Sequence, residues 1–99
     1  MVYVIRNDQK ENDKVADLLN NLGIGTISVS RDAINKSKQI AGTASDTDIA
    51  INDFYNNANF KQKSHTIKGK PLSVILSTVI GVEGVNIQDE VESARVIVV

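Results

Sequence analysis

The only histidine of this chain, His65, lies in a run of alternating lysines, FKQKSHTIKGK, from Phe60 to Lys70. An unperturbed imidazole exchanges its proton near neutral pH, which makes His65 the first residue to test for acid–base chemistry. A general base or metal ligand needs oriented partners, and neither a cysteine nor a spaced carboxylate–histidine set accompanies it. A hydrogen-bonded or solvent-facing structural role is therefore expected for His65. Lys61, Lys63, Lys68 and Lys70 beside Phe60 have the types a phosphate backbone would need. Lysines at alternate positions of an extended edge also prevent edge-to-edge pairing. The reading adopted is a partner-facing hairpin, with Phe60, Lys61, Lys63, His65, Lys68 and Lys70 as candidate protein contacts.

Other groupings carry less. Asp46 and Asp48 do not share a helix face, and carboxylates at a helix start are explained by capping, so no metal site is read from Asp46, Asp48 and Asp53. Gly23-Ile24-Gly25 follows a helix, whereas a dinucleotide loop follows a strand. Ser28, Ser30 and Ser37 have no nucleophile-elbow context. Ile80-Gly81-Val82-Glu83-Gly84 resembles the glycine loop of KH-type RNA clamps, which need a basic variable pair. The pair here is Val82-Glu83, and Asp89, Glu90 and Glu92 follow at once. Carboxylates beside a phosphate groove repel it by on the order of a kcal/mol each at surface dielectric. Gly81 and Gly84 are read as backbone punctuation, and the acidic turn as a second candidate partner contact through Asp89, Glu90 and Glu92. No catalytic, cofactor-binding or metal residue is assigned; no enzyme activity, cofactor or small-molecule substrate is expected.

The bulk numbers agree. Eleven basic against twelve acidic side chains give a net charge of −1, without the cationic excess of a polyanion binder, so nucleic acid is not an expected partner. The absence of cysteine excludes disulfides and thiolate sites. No run approaches the roughly 18–20 apolar residues of a membrane span, and the start MVYVIRNDQKEND is not a signal peptide. Ninety-nine residues suit one domain with a modest core.

The elements that must position these residues follow from periodicity. Strands are predicted near 2–5, 25–30, 84–88 and 94–99, with a further extended stretch near 63–68. Asp8-x-x-Glu11 has capping-box spacing, Val15, Leu18, Leu19 and Leu22 form an apolar helical stripe, and Gly23 suits a left-handed cap, so a helix is predicted over 10–22. The strand–helix–strand start would make 2–5 and 25–30 parallel neighbours. Residues 31–44 carry a weak helical pattern in Ala33, Ile34, Ile40 and Ala41, and Ser45-Asp46 opens a helix over 46–57. Pro71 with Leu72, Ile75, Leu76, Val79 and Ile80 predicts a helix over 71–80. The fold class is α+β: a small mixed sheet of about four strands packed by about three helices, in one domain, 1–99, or a piece of a longer chain.

Taken together, 49–88 resembles the C-terminal region of baseplate J-like wedge proteins of contractile phage tails. The resemblance rests on the aromatic pair Phe54-Tyr55 ending a helix, an Asn-containing loop reaching Phe60, and a polar extended stretch over 61–68. A helix over 71–80 then leads into Gly81-Val82-Glu83-Gly84-Val85. Lys61-Gln62-Lys63 departs from it, since the family often has a glycine turn there. It implies a non-catalytic assembly role in a virion, with other baseplate subunits or further copies of the chain as protein partners. Without it, a cytoplasmic location is expected. The alternatives are a small KH-like RNA-binding module and a regulatory protein-interaction domain.

Overall fold

The computed structural model describes residues 2–39, 45–57, 65–78 and 95–98. In chain order the elements are β1 (Val2–Ile5), α1 (Gln9–Asn21), β2 (Gly25–Val29), α2 (Arg31–Gln39), α3 (Asp46–Asn57), β3 (Thr66–Ile67), β4 (Lys70–Ser77) and β5 (Arg95–Val98). The fold is α+β, with three helices on a mixed sheet. Its four main strands are parallel in the order β2–β4–β1–β5, and the short β3 pairs antiparallel with β4. The predicted strand near 84–88 lies outside the described residues.

α1 forms for the reasons its sequence gives. Asp8 is extended (φ −149°) and its Oδ1 accepts from the Glu11 amide at 3.1 Å. The reciprocal half of the box is replaced, because the Asp8 amide donates to the Arg6 carbonyl instead (2.9 Å). At the other end Gly23 has φ +84°, its amide donates to the Asn20 carbonyl (3.0 Å), and the Ile24 amide donates to that of Leu19 (2.9 Å). These two bonds make a Schellman motif, and the left-handed residue at its centre favours glycine.

Two expectations are corrected. β1 and β2 are parallel but not neighbours, because β4 lies between them and pairs with both. Over 71–77 the predicted helix of 71–80 is instead the strand β4, and 79–80 lie outside the described residues. As the inner strand between β2 and β1 it is covered on both faces, so Val74-Ile75-Leu76 reads as a continuous apolar run in which strand alternation is hidden. Pro71 does not open a helix. It sits in the first residues of β4, opposite Thr66 of β3, beyond a tight turn at Lys68-Gly69 in which both residues have positive φ (51° and 80°). That pair of angles is the type I′ hairpin turn, whose twist matches paired strands.

The weakly patterned 31–44 contains α2, begun by Ser30, whose Oγ accepts from the Ala33 amide at 3.1 Å; residues 40–44 lie outside the description. α3 begins in a reciprocal cap: the Asp48 amide donates to Ser45 Oγ (3.2 Å), and that hydroxyl donates to the Asp48 carboxylate (2.9 Å). α2 and α3 lay Ile34, Ala50, Ile51 and Phe54 on the sheet face formed by Tyr3, Ile27, Val29 and Ile75, and Ile67 of β3 closes the cluster. The Tyr3 and Phe54 rings are tilted at 5.5 Å. Tyr3 is fully buried and, among the described residues, nothing hydrogen-bonds to its Oη. Burial pushes its hydroxyl up to about 12, a shift tempered by the neighbouring Ser77.

Candidate protein interface

The residues predicted to meet a partner fall into two groups. Phe60, Lys61, Lys63, Asp89, Glu90 and Glu92 lie outside the described residues, as do Gly81 and Gly84. The others surround the β3–β4 hairpin. Lys68 and Lys70 are exposed, at the turn and at the start of β4. His65 is half-buried, and its Nε2 lies 2.8 Å from Asp53 Oδ2 of α3. Its carbonyl accepts from the Leu72 amide at 2.8 Å. The side-chain contact ties the hairpin to α3, and the backbone bond closes the hairpin on itself. Twelve positions separate Asp53 from His65, and no periodicity links them, so sequence reading had no means of pairing them. Among the described residues, no group of three His, Cys, Asp or Glu side chains converges as a metal site.

The larger surface features belong to α1, which covers the other face of the sheet over β2 and, less closely, β4. The residues it buries are Asn12 and Ala16, not the leucines. Asn12 is 2% exposed, and its Nδ2 donates to the Arg6 carbonyl at 2.9 Å, which anchors the start of the helix to the end of β1.

To one side of that buried line, Asp13, Asp17 and Asn20 face the free edge of β2. Asp13 accepts from Ser28 Oγ at 2.6 Å. Asn20 donates to the Thr26 carbonyl (3.0 Å) and accepts from its amide (2.8 Å), standing in for the strand that β2 lacks on this edge. To the other side, helical geometry places Val15 and Leu22, while Leu18 lies farther round, on the outer surface of the helix. Leu18 is 59% exposed and Leu22 67%.

The neighbouring half of the sheet continues this apolar surface. In the register Val4↔Ile97, alternation puts Val2, Val4 and Ile97 on the α1 face, yet among the described residues no helix packs over β1 and β5 there. Ile97 is 40% exposed and Val4 is half-buried. The stripe over Val15–Leu22, read from the sequence as a core face, is thus split. Val15 and Leu19 are half-buried, while Leu18 and Leu22 are exposed. The available signal was that Asn12, Ala16 and Leu19 also recur at helical spacing, a line rotated from the leucine stripe.

No described helix is long and apolar enough to cross a membrane. No family model, no curated protein and no solved structure matches this chain.

Proposed function

We propose that this chain is a non-catalytic structural assembly module that joins protein subunits, first of all copies of itself, through the apolar flank of α1 and the adjoining half of the sheet. The observation that carries the proposal is the exposure of Leu18 and Leu22 on a helix already anchored by other residues. Single exposed leucines are ordinary, but a cluster beside a sheet face that no described helix covers marks a contact surface. Burying what remains exposed of both side chains and Ile97 against a partner would contribute about 1 kcal/mol each, enough to anchor an interface around a few residues.

A phage tail baseplate is the setting that the resemblance over 49–88 implies. The part of that resemblance resting on a helix over 71–77 is lost, because β4 stands there; Phe54-Tyr55 lies in α3, which continues to Asn57. The same strand removes the helix that a KH-like clamp would place before Gly81. The test is size-exclusion chromatography with light scattering across a concentration series, on the wild type and on a Leu18→Glu/Leu22→Glu variant. The proposal expects concentration-dependent association in the wild type and a monomer in the variant, with both equally folded. A wild type that stays monomeric throughout the series rejects self-assembly through this surface.

A further inference from the structure

Across α1 from the apolar flank, a cleft of about 390 Å³ opens beside the free edge of β2. Asp13, Ala16 and Asp17 of α1 form one wall, Lys36 of α2 and Asp48 of α3 the other, and Ser28 lines it from β2. The volume lies within the range of about 300–1,000 Å³ typical of small-molecule sites.

The edge of β2 is the informative part. The Thr78 amide donates to the Val29 carbonyl, so the polar backbone groups of Val29 point toward β4. In a parallel pair the amide and carbonyl of one residue share a side and those of the next residue take the other. Thr26 and Ser28 therefore turn their backbone groups outward. Thr26 is satisfied by the Asn20 carboxamide. Ser28, two residues on, presents the same outward amide and carbonyl, and no hydrogen bond from the described residues reaches them. The two sites are about 6.6–6.8 Å apart. One turn of helix, about 5.4 Å, separates Asn20 from Ala16, which has no polar atom to offer. α1 thus fills one backbone slot with a carboxamide and leaves the next open inside a cleft.

The charges around the opening supply the rest of the recognition. Among the described residues Asp17 accepts no hydrogen bond, and Lys36 and Lys68 form no ion pair. We propose that this cleft binds a small zwitterion bearing a carboxamide, of the kind represented by a carboxamide amino acid. Its amide occupies the outward backbone pair of Ser28 as Asn20 occupies that of Thr26. Its ammonium lies against Asp17 and Asp13, and its carboxylate against Lys36. The site faces away from the leucine flank, so binding and assembly are separable.

The test is titration of the ¹⁵N-labelled protein with L-glutamine, following the amides of Ser28, Asp17 and Lys36, with L-glutamate as the isostere lacking the amide donor. Saturable shifts with glutamine, and at least about tenfold weaker binding of glutamate, are expected. Ser28→Pro removes the outward amide without touching the ladder to β4 and abolishes binding, whereas Ser28→Ala retains it. Lys36→Gln, at an exposed position, weakens glutamine binding about tenfold without altering the thermal midpoint, and it decides the matter if Ser28→Pro does not fold. Absence of saturable shifts, equal binding of glutamine and glutamate, or unchanged affinity in Lys36→Gln overturns the proposal.

Discussion

On the face of the sheet covered by α2 and α3, Tyr3, Ile27, Val29 and Ile75 are each 1% exposed or less and belong to one apolar cluster with Ile34, Ala50, Ile51 and Phe54. On the face covered by α1, the contacts that hold the helix are polar: Asn12 on the Arg6 carbonyl, Asn20 on Thr26, Asp13 on Ser28. The first face stabilises by area removed from water and is indifferent to direction. The second is anchored by directional hydrogen bonds, so Leu18 and Leu22 are not needed for packing and remain available. This division lets a domain of 99 residues keep a closed core and still display an apolar surface.

Ile75→Ala tests the first half of the comparison most severely. A large-to-small change at a fully buried site of the apolar cluster is expected to cost about 2–5 kcal/mol, read as a lower denaturation midpoint with an unchanged slope. A loss below about 1 kcal/mol would mean that this face is loosely packed.

Alkaline pH probes the same face through Tyr3. Its native hydroxyl is held near 12 by burial, against about 10 in the unfolded chain. Between those values the unfolded state has released a proton that the folded state keeps. Stability is therefore complete below about pH 10 and falls as the pH rises toward 12, by on the order of 2–3 kcal/mol. Tyr3→Phe removes this component, so its pH profile should be flatter than that of the wild type. At neutral pH it should be no less stable, because the hydroxyl it deletes is unpartnered. Parallel alkaline profiles for the two proteins would contradict the burial of this ring.

Asn12→Ala addresses the second face. It leaves the Arg6 carbonyl without its donor and should cost about 1–3 kcal/mol, an unusually large penalty for an alanine substitution within a helix. If chemical denaturation shows no loss, α1 is held by its leucines, and the contrast between the faces fails.

Much of this architecture was legible in the sequence, and what was missed has identifiable causes. Asp8, Gly23 and the helix from Asp46 to Asn57 were readable because caps act within a few residues of the backbone they satisfy. β4 was misread because an inner strand buried on both faces loses its alternation, and Leu72, Ile75 and Leu76 happen to match helical spacing. The position of β4 between β1 and β2 depends on pairings distant in the chain, which no local pattern records. The leucine stripe of α1 was read as a core face for a related reason. A leucine stripe normally marks burial, and only the tertiary demand of the Arg6 carbonyl for Asn12 shows why this helix is rotated to bury a neighbouring line. The open backbone pair of Ser28 is equally invisible before the sheet order is known.

The smallest expected effect on stability belongs to the most direct test. Leu18→Glu/Leu22→Glu should change the free energy of unfolding by no more than about 0.5 kcal/mol per site, as for exposed positions, because neither side chain supports the fold. The measurement is sedimentation equilibrium of this variant beside the wild type at matched concentrations. The account predicts a self-associating wild type and a folded, monomeric variant. A variant that associates as strongly as the wild type, or one that unfolds, would contradict the claim that these leucines serve assembly and not the core.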